Sequence, residues 1–69
     1  MNDNEIKISV KIAERTYRLT IDKADEEKVM KAVTMLNERV KSYKQTYDYR
    51  DYQDLLSMVC LQLATLNVK

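Results

Sequence analysis

The sequence predicts a small α+β fold, in which a two-stranded antiparallel β-hairpin packs on one helix and a heptad-patterned dimerisation helix follows. Three observations support this prediction. Two segments within residues 5–21 alternate apolar and polar side chains, a helical period follows over about residues 23–46, and a heptad spacing fills the rest of the chain. The 69 residues suffice for one small unit, which we divide into a head of residues 1–47 and a dimerisation helix of residues 48–69.

The composition excludes several classes of function. The chain has no histidine, one cysteine and no glycine, which removes common zinc sites, disulfide frameworks, glycine-rich phosphate loops and histidine-based catalytic triads. A net charge of +1 is no nucleic-acid signature, and no apolar run approaches the length of a membrane span. We therefore expect a cytoplasmic, non-enzymatic protein without cofactor, metal or small-molecule substrate. A partner subunit is expected because so short a chain has only a marginal core.

The hairpin is predicted from two alternating segments, Ile6–Ile12 and Tyr17–Ile21. A loop of four residues joins them. The resulting register sets Ile12 opposite Tyr17, and Lys11 opposite Arg18. All apolar side chains of the hairpin then share one face, which needs a helix against it because two strands alone are marginal in water.

The other face and the tip of the hairpin concentrate positive charge. Residues 6–21 contain four basic side chains and one acidic one, a local net charge of +3. Like charges directly opposed across two strands are destabilising, so we interpret the Lys11–Arg18 pair as a surface kept for an anionic partner. The alternative is a solvated sheet face whose charges prevent edge pairing. The predicted partner-binding residues are Lys7, Lys11, Arg15 and Arg18.

The first helix is predicted from an apolar stripe with spacings of three and four residues. Asp22 or Asp25 can cap its N-terminus, and Asp25–Glu27 places negative charge in its first turn, where the helix dipole favours it. The stripe is expected to face the hairpin and consists of Val29, Val33, Leu36, Val40, Tyr43 and Tyr47.

A second helix, capped by Asp48 or Asp51, is predicted from apolar residues at a 4-3-4-3 spacing. One hairpin and one helix cannot cover so apolar a helix, so we expect it to pair with a second copy. Neither glycine nor proline ends it, which favours the truncated start of a longer coiled coil. Cys60 is interpreted as a small hydrophobic side chain beside the seam, and the tyrosines of residues 43–52 as packing groups. The predicted dimer interface consists of Tyr52, Leu56, Val59, Leu63 and Leu66.

Five segments together resemble the ZapA family of bacterial cell-division proteins, and the resemblance covers essentially the whole chain. The segment that starts the heptad helix is the most specific of them. The sequence departs from the family pattern at Glu14, where family hairpins usually have glycine before the arginine, and in lacking the several further heptads of the family. The segments are Ile6–Ile12, Ala13–Leu19, Asp25–Glu27, Met35–Glu38 and Asp51–Ala64.

The resemblance implies a cytoplasmic binding protein that acts at the division site. Family members form dimers and, with the full coiled coil, tetramers. Their heads bind and crosslink polymers of the tubulin-like division protein FtsZ. The alternative that the residues themselves leave open is a ribbon-helix-helix DNA-binding dimer, whose β-ribbon would place alternate polar side chains such as Lys7, Ser9 and Lys11 in the major groove.

Overall fold

A computed structural model describes residues 4–68 and confirms the predicted α+β architecture. Two strands form an antiparallel sheet, and the first helix lies against the first strand and against the second helix. Neither helix in this part of the chain is long and apolar enough to cross a membrane. The elements are β1 (Glu5–Ile12), β2 (Arg15–Asp22), a single 3₁₀ turn (Lys23–Asp25), α1 (Glu26–Thr46) and α2 (Tyr52–Leu66).

The turn of the hairpin contains two residues, so the predicted loop of four residues is wrong. Ala13 and Glu14 have φ angles of 50° and 70°, and positive φ at both central positions is the requirement of a type I′ turn. The tighter turn sets Ile12 opposite Arg15 and Val10 opposite Tyr17. The prediction failed because glycine, the usual signal of such a turn, is absent, whereas this backbone accepts two left-handed residues that carry side chains.

The register therefore differs by two residues from the predicted one. A shift of two residues keeps every side chain on its predicted face, because the side-chain period of a strand is two. It does change the cross-strand neighbours: Lys11 lies opposite Thr16, and Arg18 lies opposite Ser9. The like-charge pair of Lys11 and Arg18 that the sequence predicted is not formed.

The core lies where α1 crosses α2 and is very small. Val40 of α1 packs against Leu55 and Val59 of α2, and both α2 residues are 0% exposed. Val10 of β1 is also buried. The remaining stripe residues of α1 are half-buried, except Tyr47, which lies beyond the end of the helix and is 50% exposed.

Two of the four predicted aspartate caps are formed by side chains. Asp22 accepts a hydrogen bond of 2.9 Å from the backbone N–H of Ala24 and so caps the 3₁₀ turn before α1. Asp25, at the N-terminus of α1, makes no side-chain capping bond. Asp51 accepts a hydrogen bond of 3.1 Å from the backbone N–H of Asp54, which satisfies one of the free donors in the first turn of α2.

Candidate partner-binding surface

Three of the four predicted basic residues lie together on one face of the hairpin. Lys7 and Lys11 are two of the alternate residues of β1 that point away from α1, and Arg18 joins them because it lies opposite Ser9. All three are exposed, and no salt bridge to any of them is formed within residues 4–68. We call Lys7, Lys11 and Arg18 the basic face.

Hydroxyl groups lie between the charges of the basic face. A shallow cleft of about 430 Å³ crosses the two strands and is lined in part by Lys7, Ser9, Arg18 and Thr20. Exposed cations beside hydroxyl donors suit the recognition of carboxylates on a partner, since charge complementarity guides the encounter and the hydroxyls add directional hydrogen bonds.

Arg15, the fourth predicted residue, is not part of the basic face. It lies opposite Ile12 and therefore on the apolar side of the hairpin, at the turn. There it lines a groove between the hairpin and α2, together with Glu14 and Asp51. The structure thus divides the predicted binding residues between two surfaces.

Asn37 positions the hairpin on α1, and the sequence analysis gave it no such role. Its Nδ2 donates a hydrogen bond of 2.7 Å to the backbone carbonyl of Lys11, and its Oδ1 accepts one of 3.1 Å from the backbone N–H of Ala13. The signal in the sequence is an amide within the apolar stripe, four residues after Val33 and three before Val40. A polar residue at such a position needs hydrogen-bond partners.

The predicted dimer interface is divided between the interior and the surface of the single chain. Val59 is fully buried against the chain's own α1, whereas Tyr52, Leu56 and Leu63 are half-buried and Leu66 is 66% exposed. The interface itself stays a prediction, with Leu56, Leu63 and Leu66 available to a partner.

Polar contacts join α1 to α2 on either side of the core. Lys44 Nζ donates a hydrogen bond of 3.2 Å to Tyr52 Oη and lies 5.3 Å from the centre of that ring. The hydrogen bond is the main reason why the pKa of Lys44 lies above its ordinary value. Arg39 Nη1 donates a hydrogen bond of 2.7 Å to Gln62 Oε1. Together these contacts add polar links between the two helices outside their apolar core.

The family described as "Cell division protein ZapA" matches residues 8–69 of the chain. The match runs from the middle of β1 through both helices, so it includes most of the hairpin, α1 and all of α2. No curated protein and no solved structure shows significant similarity to the chain.

Proposed function

Because the chain belongs to the ZapA family of cell-division proteins, we propose that it is a non-enzymatic homodimer whose head binds polymers of FtsZ. The protein binds and crosslinks these polymers at the division site in the cytoplasm, and a full coiled coil extends the dimer to a tetramer that crosslinks them more strongly. The head contributes the binding residues Lys7, Lys11, Arg15 and Arg18, and α2 contributes the dimer contact.

The observation that carries this proposal is the basic face. Three cations that are exposed and without salt bridges among the described residues lie on a two-stranded sheet that the Asn37 side chain joins to α1. An unpaired basic surface attracts an acidic partner, increases the rate of encounter and makes binding depend on salt. The proposal therefore requires that binding be lost when the sign of this charge is reversed.

The test is co-sedimentation of Lys11→Glu/Arg18→Glu with FtsZ polymer. We expect binding to be abolished while the circular dichroism spectrum stays unchanged, because substitutions of exposed charges usually alter stability by less than about 0.5 kcal/mol. The matched control is Lys28→Glu/Lys41→Glu, which makes the same charge change at two exposed positions of α1. Equal binding by both variants, or equal loss in both, would show that the basic face is not the binding site.

Arg15 needs a separate variant because it lies on the other side of the hairpin. If Arg15→Glu alone abolishes co-sedimentation and Lys11→Glu/Arg18→Glu does not, then the tip of the hairpin binds the polymer.

Duplex DNA serves as the second ligand in the same assay. A DNA-binding ribbon would bind any duplex with an affinity that falls steeply and log-linearly with salt, and we expect no such binding.

A further inference from the structure

The outer edge of β2 is open to a further strand. In an antiparallel pair of strands, residue pairs that exchange hydrogen bonds alternate with pairs that do not, and the pair that closes the two-residue turn is a bonded one. The backbone N–H and C=O groups of Thr16, Arg18 and Thr20 therefore point away from β1. Within residues 4–68, no backbone or side-chain group bonds to them on that side.

The outer edge of β1, in contrast, is covered. The first helix lies against β1, and the Asn37 side chain bonds to the backbone of Lys11 and Ala13 on that side. Proteins usually protect an exposed edge with proline, with a bulge or by keeping the strand very short. The strand β2 has eight residues, contains no proline and pairs with β1 without a bulge. The edge of β2 is thus the one at which this sheet can grow.

We infer that an extended acidic segment of the FtsZ polymer adds to the edge of β2 as a third strand. Main-chain hydrogen bonds to Thr16, Arg18 and Thr20 hold the segment, and its side chains alternate between the two faces of the sheet. This inference rests on the FtsZ binding proposed above and names the contact by which the head holds the polymer.

The two faces of the sheet favour a segment in which acidic and apolar residues alternate. Side chains of paired residues lie on the same face, so an acidic residue paired with Arg18 meets its guanidinium on the basic face. On the opposite face, Tyr17 and Leu19 are 40% and 37% exposed. Apolar side chains of the added strand cover these two residues, which is favourable in proportion to the apolar area removed from water.

The charge of the hairpin favours an acidic segment over a second copy of β2. Charged side chains are a further means by which proteins prevent pairing at an edge, but they repel only strands of the same sign. Residues 6–21 carry a net charge of +3. A second hairpin would double this charge at the contact, whereas an acidic segment neutralises it.

The first test is co-sedimentation of Thr20→Pro with FtsZ polymer. Proline removes the backbone N–H at this position, but the bonds to β1 are kept because that N–H points outward. Every charge of the basic face is kept as well. We expect the dissociation constant for the polymer to rise at least about tenfold, because the added strand loses a hydrogen-bond donor. The matched control is Thr20→Val, which keeps the N–H and should retain most of the binding. Circular dichroism checks that both variants fold.

The second test needs no substitution and measures the exchange of backbone amides with deuterium, residue by residue, with and without FtsZ polymer. Amides without a hydrogen bond exchange fast, so a third strand should slow the exchange of Thr16, Arg18 and Thr20 at least about tenfold. The outward amides of Lys7 and Ser9 on β1 are the control and should keep their rates. A polymer that contacts only side chains of the basic face would leave both sets of amides fast.

The outcomes separate this inference from the proposed function. A wild-type chain that does not bind FtsZ polymer overturns both. If Lys11→Glu/Arg18→Glu abolishes binding while Thr20→Pro and Thr20→Val bind equally, the added strand is refuted and the basic face stands as the binding site. The same holds if the polymer leaves the amides of Thr16, Arg18 and Thr20 as fast as in the free chain. This exchange measurement decides if Thr20→Pro does not fold.

Discussion

At the scale of single residues, Asn37 gives the hairpin backbone hydrogen bonds of the kind that a third strand would supply. The backbone carbonyl of Lys11 accepts a hydrogen bond from its amide NH₂ group. The backbone N–H of Ala13 donates one to its amide oxygen. Lys11 belongs to a cross-strand pair without mutual hydrogen bonds, because such pairs alternate with the bonded pair that closes a two-residue turn. One amide therefore satisfies two backbone groups and fixes the turn against α1.

We predict that Asn37→Ala lowers the free energy of unfolding by about 1–2 kcal/mol, because two backbone groups lose their partner at once. Urea unfolding followed by circular dichroism measures the effect. Asn67→Ala is the control, since Asn67 makes one exposed side-chain hydrogen bond, of 3.0 Å, to the carbonyl of Leu63. Equal effects of the two substitutions would show that Asn37 is an ordinary surface amide.

Glu14 is the residue at which a glycine should stabilise the protein. Its φ of 70° is costly for a residue with a side chain, by about 1–2 kcal/mol. We predict that Glu14→Gly raises the free energy of unfolding by roughly 0.5–1 kcal/mol, less than the full cost because glycine also gains entropy when unfolded. Thermal unfolding measures it. Glu5→Gly, in a strand with ordinary φ, should destabilise, and a destabilising Glu14→Gly would refute a left-handed turn.

At the scale of elements, the type of each element was predictable and its exact contacts were not. Alternation states which side chains of a strand share a face, but a shift of two residues leaves that pattern intact, so only the turn decides the register. The turn carries no glycine, so the predicted loop of four residues and the predicted pairing of Lys11 with Arg18 are both wrong. The heptad spacing of α2 likewise fits two neighbouring strips. Nothing in the periodicity states that the strip of Leu55 and Val59 faces α1.

The start of α2 illustrates a further choice that the sequence left open. Both Asp48 and Asp51 were candidate caps, and the structure selects Asp51. Asp54 reinforces the choice, because its Oδ2 accepts a hydrogen bond of 2.9 Å from the backbone N–H of Arg50. Asp51 thus accepts from the backbone N–H of Asp54, and Asp54 accepts from the backbone N–H of Arg50, the residue before the cap. The arrangement is similar to a capping box.

We predict that Asp51→Ala lowers the free energy of unfolding by about 1 kcal/mol, the usual cost of removing an N-cap. Asp48→Ala makes the same change of charge and size three residues earlier, in the connection between the helices, and should cost less than about 0.5 kcal/mol. Chemical unfolding of both variants measures the difference. A larger effect of Asp48→Ala would show that Asp48, and not Asp51, caps α2.

At the scale of the whole molecule, the described chain measures 45 × 32 × 16 Å. Linking two filaments requires binding surfaces that point to different filaments. In a dimer joined along α2 the two heads lie close together, because α2 has only 15 residues. A helix adds about 1.5 Å per residue, so distance between heads has to come from more helix.

We predict that residues 1–69 bind FtsZ polymer as a dimer and bundle it weakly. Three appended heptads extend each helix by roughly 30 Å and should produce both a tetramer and bundling. Light scattering and negative-stain images compare the two forms, with Leu63→Asp in the extended form as the control that removes association through α2. Strong bundling by residues 1–69 would mean that the heads themselves form the bridge.

The small attachment of the hairpin has a consequence for local unfolding. The helix pair holds the cluster of Val40, Leu55 and Val59, whereas the hairpin is joined to it mainly through Val10, Ala13 and the amide of Asn37. A unit with so few buried contacts opens at a lower free energy than the rest. Backbone amides of β1 and β2 should therefore exchange with deuterium faster than those in the middle of α1. A partner bound to the basic face would slow this exchange, so the strands that carry the charge also report its occupancy.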